Sequence, residues 1–356
     1  NPLALLRPVP NTPLSARPVV AVTFALNYAW GGLDVRGYHL VNNLIHILAA
    51  LTLFGLVRST LLLPRFAPAY MWSAEGYAAA VALLWMVHPL NSEVVNYLIS
   101  RTESLVGLFY MATLFCASQA FRAERPRRWH AMAVAACTLG MASKEIMVSA
   151  PLIVLLYDRL FAAGSFAAAL RRRRSFYLAL AATWLVVGFY QLDHPRADSV
   201  LFDSTWMSVP DYLRTQATVI MHYLKLSFWP HPLVLDSQDW PIAKGYPPSV
   251  LLSAAGIATL AVTTLAGLWR KTWWSLPGVL FFCILAPTSS FIPIVTEIVS
   301  ERRMYLPLAA IIVLIVFLAD HLWRLCESRF FPRNNWTKLV PVLIMLSCGT
   351  VLGRMT

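Results

Sequence analysis

The sequence predicts an all-α polytopic membrane protein with about ten transmembrane helices, and three observations carry that expectation. Of its 356 residues, 58% are hydrophobic and 13% are charged, with a mean hydropathy of +0.60. A soluble domain carries about a quarter charged residues. Apolar runs approaching the roughly 20 residues needed to cross hydrocarbon recur along the chain. The alternating segments of about ten residues that mark a membrane barrel are absent.

The net charge of +12 has a simple source. Cations gather in short clusters between apolar runs: Arg122, Arg125, Arg127 and Arg128; Arg171 to Arg174; Arg270 and Lys271; then Arg324, Arg329, Arg333 and Lys338. That is the distribution of cytoplasmic loops under the positive-inside rule, and it calls for no nucleic-acid partner. The five cysteines, at 116, 137, 283, 326 and 348, show neither zinc spacing nor a paired framework. The lack of paired extracytoplasmic cysteines favours a bacterial cytoplasmic membrane over the endoplasmic reticulum.

In chain order, residues 1–17 form a Pro-rich segment with neither a signal peptide's basic start nor its apolar core. Residues 18–30 are too short to span and are expected to lie in the interface. Residues 1–37 therefore make a first extracytoplasmic loop, and 38–356 the transmembrane domain. Spans are expected at about 38–62, 76–90, 102–120, 129–142, 147–162, 176–192, 248–268, 273–292, 304–323 and 338–353. The segment 211–229 contains Asp211, Arg214, His222 and Lys225. Reading it as interfacial or re-entrant keeps the larger Lys/Arg clusters on one side. This topology starts outside and expects a further helix before Asn1. It also gathers polar extracytoplasmic loops near 88–101, 193–247 and 288–303.

Those loops hold the candidate chemistry. In HPLNSEVVNYLISRTES (88–104), Glu93, Tyr97 and Arg101 are spaced by four. If that piece is helical, they share a face. Ionisable groups beside a span are costly and face a cavity or one another. On the same side fall His39, Asn42, Asn43, His46, His88, Glu103, Lys144 and Glu145, with Asp236, Asp239, Glu301, Arg302 and Arg303. The adjacent Lys144 and Glu145 can also be read as a salt-bridged turn. Guanidinium forks at headgroup level suit phosphate oxygens, so Arg101, Arg302 and Arg303 point to a lipid phosphate or pyrophosphate. The competing reading is that Arg302 and Arg303 anchor a helix end by snorkelling. His88 and His231 precede prolines without a helical ligand partner, and no Gly-rich phosphate loop or G-x-S-x-G elbow is present.

Five stretches together resemble the polytopic GT-C glycosyltransferases, above all the transmembrane and tetratricopeptide-repeat O-mannosyltransferases and their bacterial relatives. They are RPVVAVTFALNYAWGGLDVRGYHLVNNLIH (17–46), HPLNSEVVNYLISRTESL (88–105), SKEIMVSAPLIVLLYD (143–158), YLKLSFWPHPLVLD (223–236) and SERRMYLP (300–307). The resemblance implies a GT-C-like bundle and transfer of a sugar, mannose in the best-known members. The donor would be a polyprenyl-phosphate sugar and the acceptor a protein Ser/Thr hydroxyl outside the cytoplasm. It implies that Arg302 and Arg303 hold the donor phosphate with Arg101, Lys144 and His88. Glu93 and Glu103 would orient those cations or touch sugar hydroxyls, and Glu301 would pair with a cation. No cofactor is implied, and a divalent metal stays open.

Two departures bear on this expectation. The family's acidic catalytic motif lies just upstream of the residues matching Asn1-Pro2, and tetratricopeptide repeats commonly follow the last span. Asp34 is the one acid of the first loop in the sequence given, a candidate base, though its setting in GGLDVRGYH reads more as that of a turn residue. The alternative to the enzyme is a catalytically reduced GT-C-like scaffold subunit of a larger membrane complex. A transporter ranks last, because its charges would sit near the midplane.

Overall fold

In a computed structural model, the residues described are 12, 14–193, 207–235, 240–289 and 297–330. The last expected span, Asp236 and Asp239 lie outside them, as do most of the Pro-rich start and the basic stretch beyond residue 330. Among the described residues every regular element is helical. In order these are α1 (Pro18–Gly31), α2 (Val35–Leu61), α3 (Ala67–Tyr70), α4 (Ala74–Met86), α5 (Ser92–Asn96), α6 (Arg101–Ala120), α7 (Arg127–Met141) and α8 (Ala150–Phe161). They continue with α9 (Phe166–Arg172), α10 (Arg174–Ala182), α11 (Trp184–Asp193), α12 (Val209–Phe228), α13 (Pro248–Trp269), α14 (Ser275–Leu285) and α15 (Tyr305–Phe330).

Local chemistry sets many of these boundaries. Pro18 opens α1, where its missing N–H costs nothing. Gly32, at φ +60°, turns the chain from α1 toward α2. Asp34 caps α2 by accepting from the Arg36 amide at 3.0 Å. Ser208 caps α12, and the buried face of α12 follows Tyr212, Thr215, Gln216, Val219, Tyr223 and Leu226, a helical stripe.

The expected count of about ten spans is not confirmed among the described residues. Three helical stretches among the described residues are long and apolar enough to cross a membrane: Val35–Leu61, Pro248–Trp269 and Glu301–Leu325. Two bent pairs, Ala74–Met86 with Pro89–Asn96 and Glu145–Phe161 with Phe166–Arg172, raise the number to five. The shortfall has local causes. The expected span at 176–192 breaks at Thr183 between α10 and α11, and the described part of that at 273–292 contributes the 11 residues of α14. The apolar helices suggest a membrane protein, as the composition does.

The core is built around α2, α4, α6 and α15. Trp85, Tyr110 and Tyr305 are among its largest enclosed side chains. His46 packs against Trp85 and Tyr305, with Nδ1 2.8 Å from the Tyr305 hydroxyl and Nε2 2.9 Å from the Met86 carbonyl oxygen. The Trp85 indole N–H donates to the Tyr305 carbonyl at 2.9 Å. Gly107 lets α6 approach this group, since a Cβ there would lie 2.6 Å from the Tyr305 ring. Between α2, α6, α8, α14 and α15 lies an apolar cavity of about 200 Å³, whose lining includes Leu53, Met111, Leu280 and Leu306.

Candidate functional site

Glu93, Glu103, Lys144, Glu145, Arg302 and Arg303 gather at one end of the bundle, but 88–101 is not one helix. Pro89–Asn91 form a single 3-10 turn, α5 has five residues, and Tyr97 is extended at φ −84°, ψ 111°. A second 3-10 turn, Leu98–Ser100, leads into α6. The single face expected for Glu93, Tyr97 and Arg101 is therefore broken. Glu93 meets the start of α15, while Arg101 meets α1 and α2.

Glu93 and Arg302 form the centre of the cluster. The Arg302 guanidinium donates to Glu93 Oε1 at 2.7 Å, and the Arg302 backbone N–H donates to Oε2 at 2.9 Å. Both carboxylate oxygens are thus committed to one residue. The second guanidinium nitrogen lies 2.5 Å from Glu297, whose side chain is 47% exposed against 5% for Glu93. Arg302 has a fixed inner partner and an accessible outer one. Its guanidinium also sits 5.9 Å from the centre of the Tyr97 ring.

Arg303 is turned to the same segment, donating to the backbone carbonyls of Glu297 at 2.5 Å and Ile298 at 3.4 Å. Gln216 on α12 donates to the Ile298 carbonyl at 2.9 Å, and the Tyr223 hydroxyl accepts from the Ser300 amide at 2.7 Å. Glu301 accepts from the Val234 amide at 2.9 Å. Among the described residues, no cation pairs with it as the resemblance implies.

Lys144 and Glu145 do not pair with each other. Lys144 forms a buried ion pair with Glu103, and Glu145 pairs with Arg17 at 3.2 Å. The Glu145–Arg17 contact joins the turn before α8 to the start of α1. Burial pulls the Lys144 ammonium below the usual lysine range, and the Glu103 carboxylate pushes it back up. Glu103 also acts electrostatically on Arg302. Charges of alternating sign thus run from Arg17 through Glu145 and Lys144 to Glu103, whose charge acts on Arg302 beside its partners Glu93 and Glu297.

The other singled-out residues are less available. Arg101 is fully buried, with its Nε on Asn42 Oδ1 at 2.7 Å, one terminal nitrogen on Asn27 Oδ1 at 2.7 Å, and the other on the Tyr38 carbonyl at 3.1 Å. Its guanidinium stacks 4.2 Å from the Phe24 ring centre. Arg101 thereby ties α1 and α2 to α6. His88 is buried too, accepting from the Leu90 amide at 3.2 Å and lying 3.2 Å from the Ser227 carbonyl oxygen. Asp34 is exposed at the head of α2. Among the described residues, no three His, Cys, Asp or Glu side chains converge as metal ligands would.

Sequence reasoning missed Glu297, Arg17 and Asn27. Glu297 lies inside the polar loop expected near 288–303 and Arg17 opens the first quoted motif, so a charge flanking an apolar run was the signal for both. Asn27 is a polar residue within the apolar α1, which is a cue to a buried partner.

Curated proteins supply the decisive comparison. Protein O-mannosyl-transferase TMTC2 of Mus musculus is 37% identical over 103 residues, covering 29% of this chain and 11% of that protein. Protein O-mannosyl-transferase Tmtc1 of Drosophila melanogaster is 32% identical over 157 residues, covering 42% of this chain and 16% of that protein. The chain is related to these O-mannosyl-transferases. A further relative, Drosophila melanogaster protein O-mannosyl-transferase Tmtc2, matches at 29% identity over 150 residues, 40% of this chain and 15% of its own length. The matched stretches thus span only 11% to 16% of these O-mannosyl-transferases. All three are animal proteins, which gives no support to the bacterial membrane expected from the cysteines. No family model and no solved structure matches the chain.

Proposed function

We propose that this protein is a membrane glycosyltransferase of GT-C type. It would move mannose from a polyprenyl-phosphate donor to a Ser/Thr hydroxyl of an acceptor protein on the extracytoplasmic side. The observation that carries the reading is the divided partnership of Arg302. Glu93 fixes the guanidinium from inside, and the half-exposed Glu297 occupies its outer edge. A donor phosphate takes that outer edge by displacing Glu297, with Arg303 beside it. The relationship to protein O-mannosyl-transferases supports the substrate class.

The chemistry then follows from charge. The bond from the sugar's anomeric carbon to the phosphate oxygen breaks as the bond to the acceptor hydroxyl oxygen forms. Negative charge grows on the departing phosphate, and preorganised cations stabilise it. Glu93 and Glu103, each committed to a cation, position charge and do not take the proton. A further carboxylate receives the hydroxyl proton, which the resemblance places in the loop ahead of α1. The apolar cavity reaches Leu306, about one helical turn from Arg303, and offers the kind of space a lipid chain fills. No cofactor enters this reading.

The test uses the full-length protein in proteoliposomes with a Ser/Thr-rich acceptor peptide. Mannosylated peptide is expected from polyprenyl-phosphate mannose and not from GDP-mannose. Transfer from the nucleotide sugar alone would refute the donor assignment.

A further inference from the structure

The opposite end of the bundle holds a second charged feature that the proposed transfer does not use. After α8 the chain turns at Gly164, at φ +78°, and α9 sets off at 108° to the helical stretch before it. If α8 crosses the bilayer, α9 lies across its surface. Its short surface carries exposed Phe166 and Leu170 directly beside exposed Arg171 and Arg172, with Arg174 exposed just after. The apolar exposure continues along the following helices through Leu178 and Leu185, so it merges with a lipid-facing flank.

Among the described residues the charge at this corner is not neutralised. Arg65 donates to the Leu160 carbonyl at 2.5 Å and the Lys271 carbonyl at 2.7 Å, and Lys271 donates to the Gly164 carbonyl at 2.9 Å. Those bonds fasten three connections together without supplying a counter-charge. Arg159 lies over the Phe166 ring at 4.7 Å. The corner's carboxylate, Asp158, is buried and accepts from Arg173 at 2.9 Å and from the Tyr177 hydroxyl at 2.6 Å. Arg65, Arg159, Arg171, Arg172, Arg174 and Lys271 are left as an excess of positive charge.

We infer that the α8–α9 corner binds the phosphate-bearing headgroup of an anionic phospholipid, with Phe166 and Leu170 seated among its acyl chains. Guanidinium forks suit phosphate oxygens, and an amphipathic helix with arginines beside apolar side chains suits the headgroup boundary. The exposed apolar residues favour a lipid over a soluble polyphosphate, which would meet only the arginines.

Native mass spectrometry of the delipidated full-length protein, titrated with phosphatidylserine, tests this. The combined substitution Arg171→Gln, Arg172→Gln and Arg174→Gln touches only exposed side chains and leaves Arg173 on Asp158. It is expected to weaken phosphatidylserine retention by about 100-fold, from the attraction of each arginine to an anionic headgroup. Phosphatidylcholine should be unaffected. The matched set Arg122→Gln, Arg125→Gln and Arg127→Gln in the neighbouring loop should retain the lipid. Equal retention by wild type and the 171/172/174 variant would overturn the site, as would equal loss in both variants. Tight binding of inositol hexakisphosphate without lipid retention would assign the corner to a soluble polyphosphate and overturn the lipid assignment.

Discussion

Replacing Glu93 by Gln tests whether the buried carboxylate holds Arg302. The substitution keeps size and shape while removing the charge opposite Arg302, which donates to Oε1 through Nη1 of its guanidinium and to Oε2 through its backbone N–H. The side chains are only 5% and 17% exposed, so solvent screens the pair weakly. Breaking a buried pair from one side costs about 3–5 kcal/mol. Glu297 still faces Arg302, so the expected loss is at the low end, about 3 kcal/mol. Arg302→Gln should cost about the same, because it strands the carboxylate. Removing both leaves no uncompensated buried charge, since Glu297 is half exposed to solvent, so the double variant should lose about 3 kcal/mol and not about 6, a coupling of about 3 kcal/mol. Reversible unfolding in mixed micelles measures all four proteins. Single losses that add to within about 0.5 kcal/mol would mean the pair does not couple, and the reasoning fails.

Three further outcomes follow. Arg101→Gln should destabilise by about 3 kcal/mol by leaving Asn42, Asn27 and the Tyr38 carbonyl with fewer donors; unchanged unfolding would remove Arg101 as the tie between α1, α2 and α6. Asp34→Ala should cost about 1 kcal/mol as a lost helix cap and leave mannose transfer intact; a dead but folded variant would make Asp34 the base. Gly107→Ala forces a methyl against the Tyr305 ring and should cost about 1–3 kcal/mol, read as a lower thermal midpoint; a neutral result would show that the ring shifts freely.

Several features could be read from the residues alone. The apolar runs announced α2, α13 and α15 because each stays hydrophobic over many consecutive positions, and a short first helix at 18–30 matches α1. The 88–104 stretch stood out as one whose ionisable groups need partners, because Glu93, Arg101 and Glu103 are costly beside hydrocarbon. What each one touches was not recognisable. The four-residue spacing of Glu93, Tyr97 and Arg101 suggested one face, yet the extended Tyr97 sends Glu93 and Arg101 to different helices. Adjacency suggested that Lys144 pairs with Glu145, but the turn between α7 and α8 aims them at Glu103 and Arg17. Partners more than 40 residues away are set by packing and leave no trace in spacing. The lengths of α10, α11 and α14 were overestimated for a related reason. Apolar composition continues through Thr183 and past Leu285 while the helix does not.

Mannose transfer by Arg302→Ala compared with wild type, in full-length protein reconstituted with polyprenyl-phosphate mannose and an acceptor peptide, tests the central claim most directly. Losing a transition-state charge contact typically costs about 10²–10³ in turnover. A fall of that size is expected in a variant that still inserts and stays folded, with Arg128→Ala at the basic end close to wild type. Wild-type turnover in folded Arg302→Ala would contradict the claim that Arg302 holds the donor phosphate.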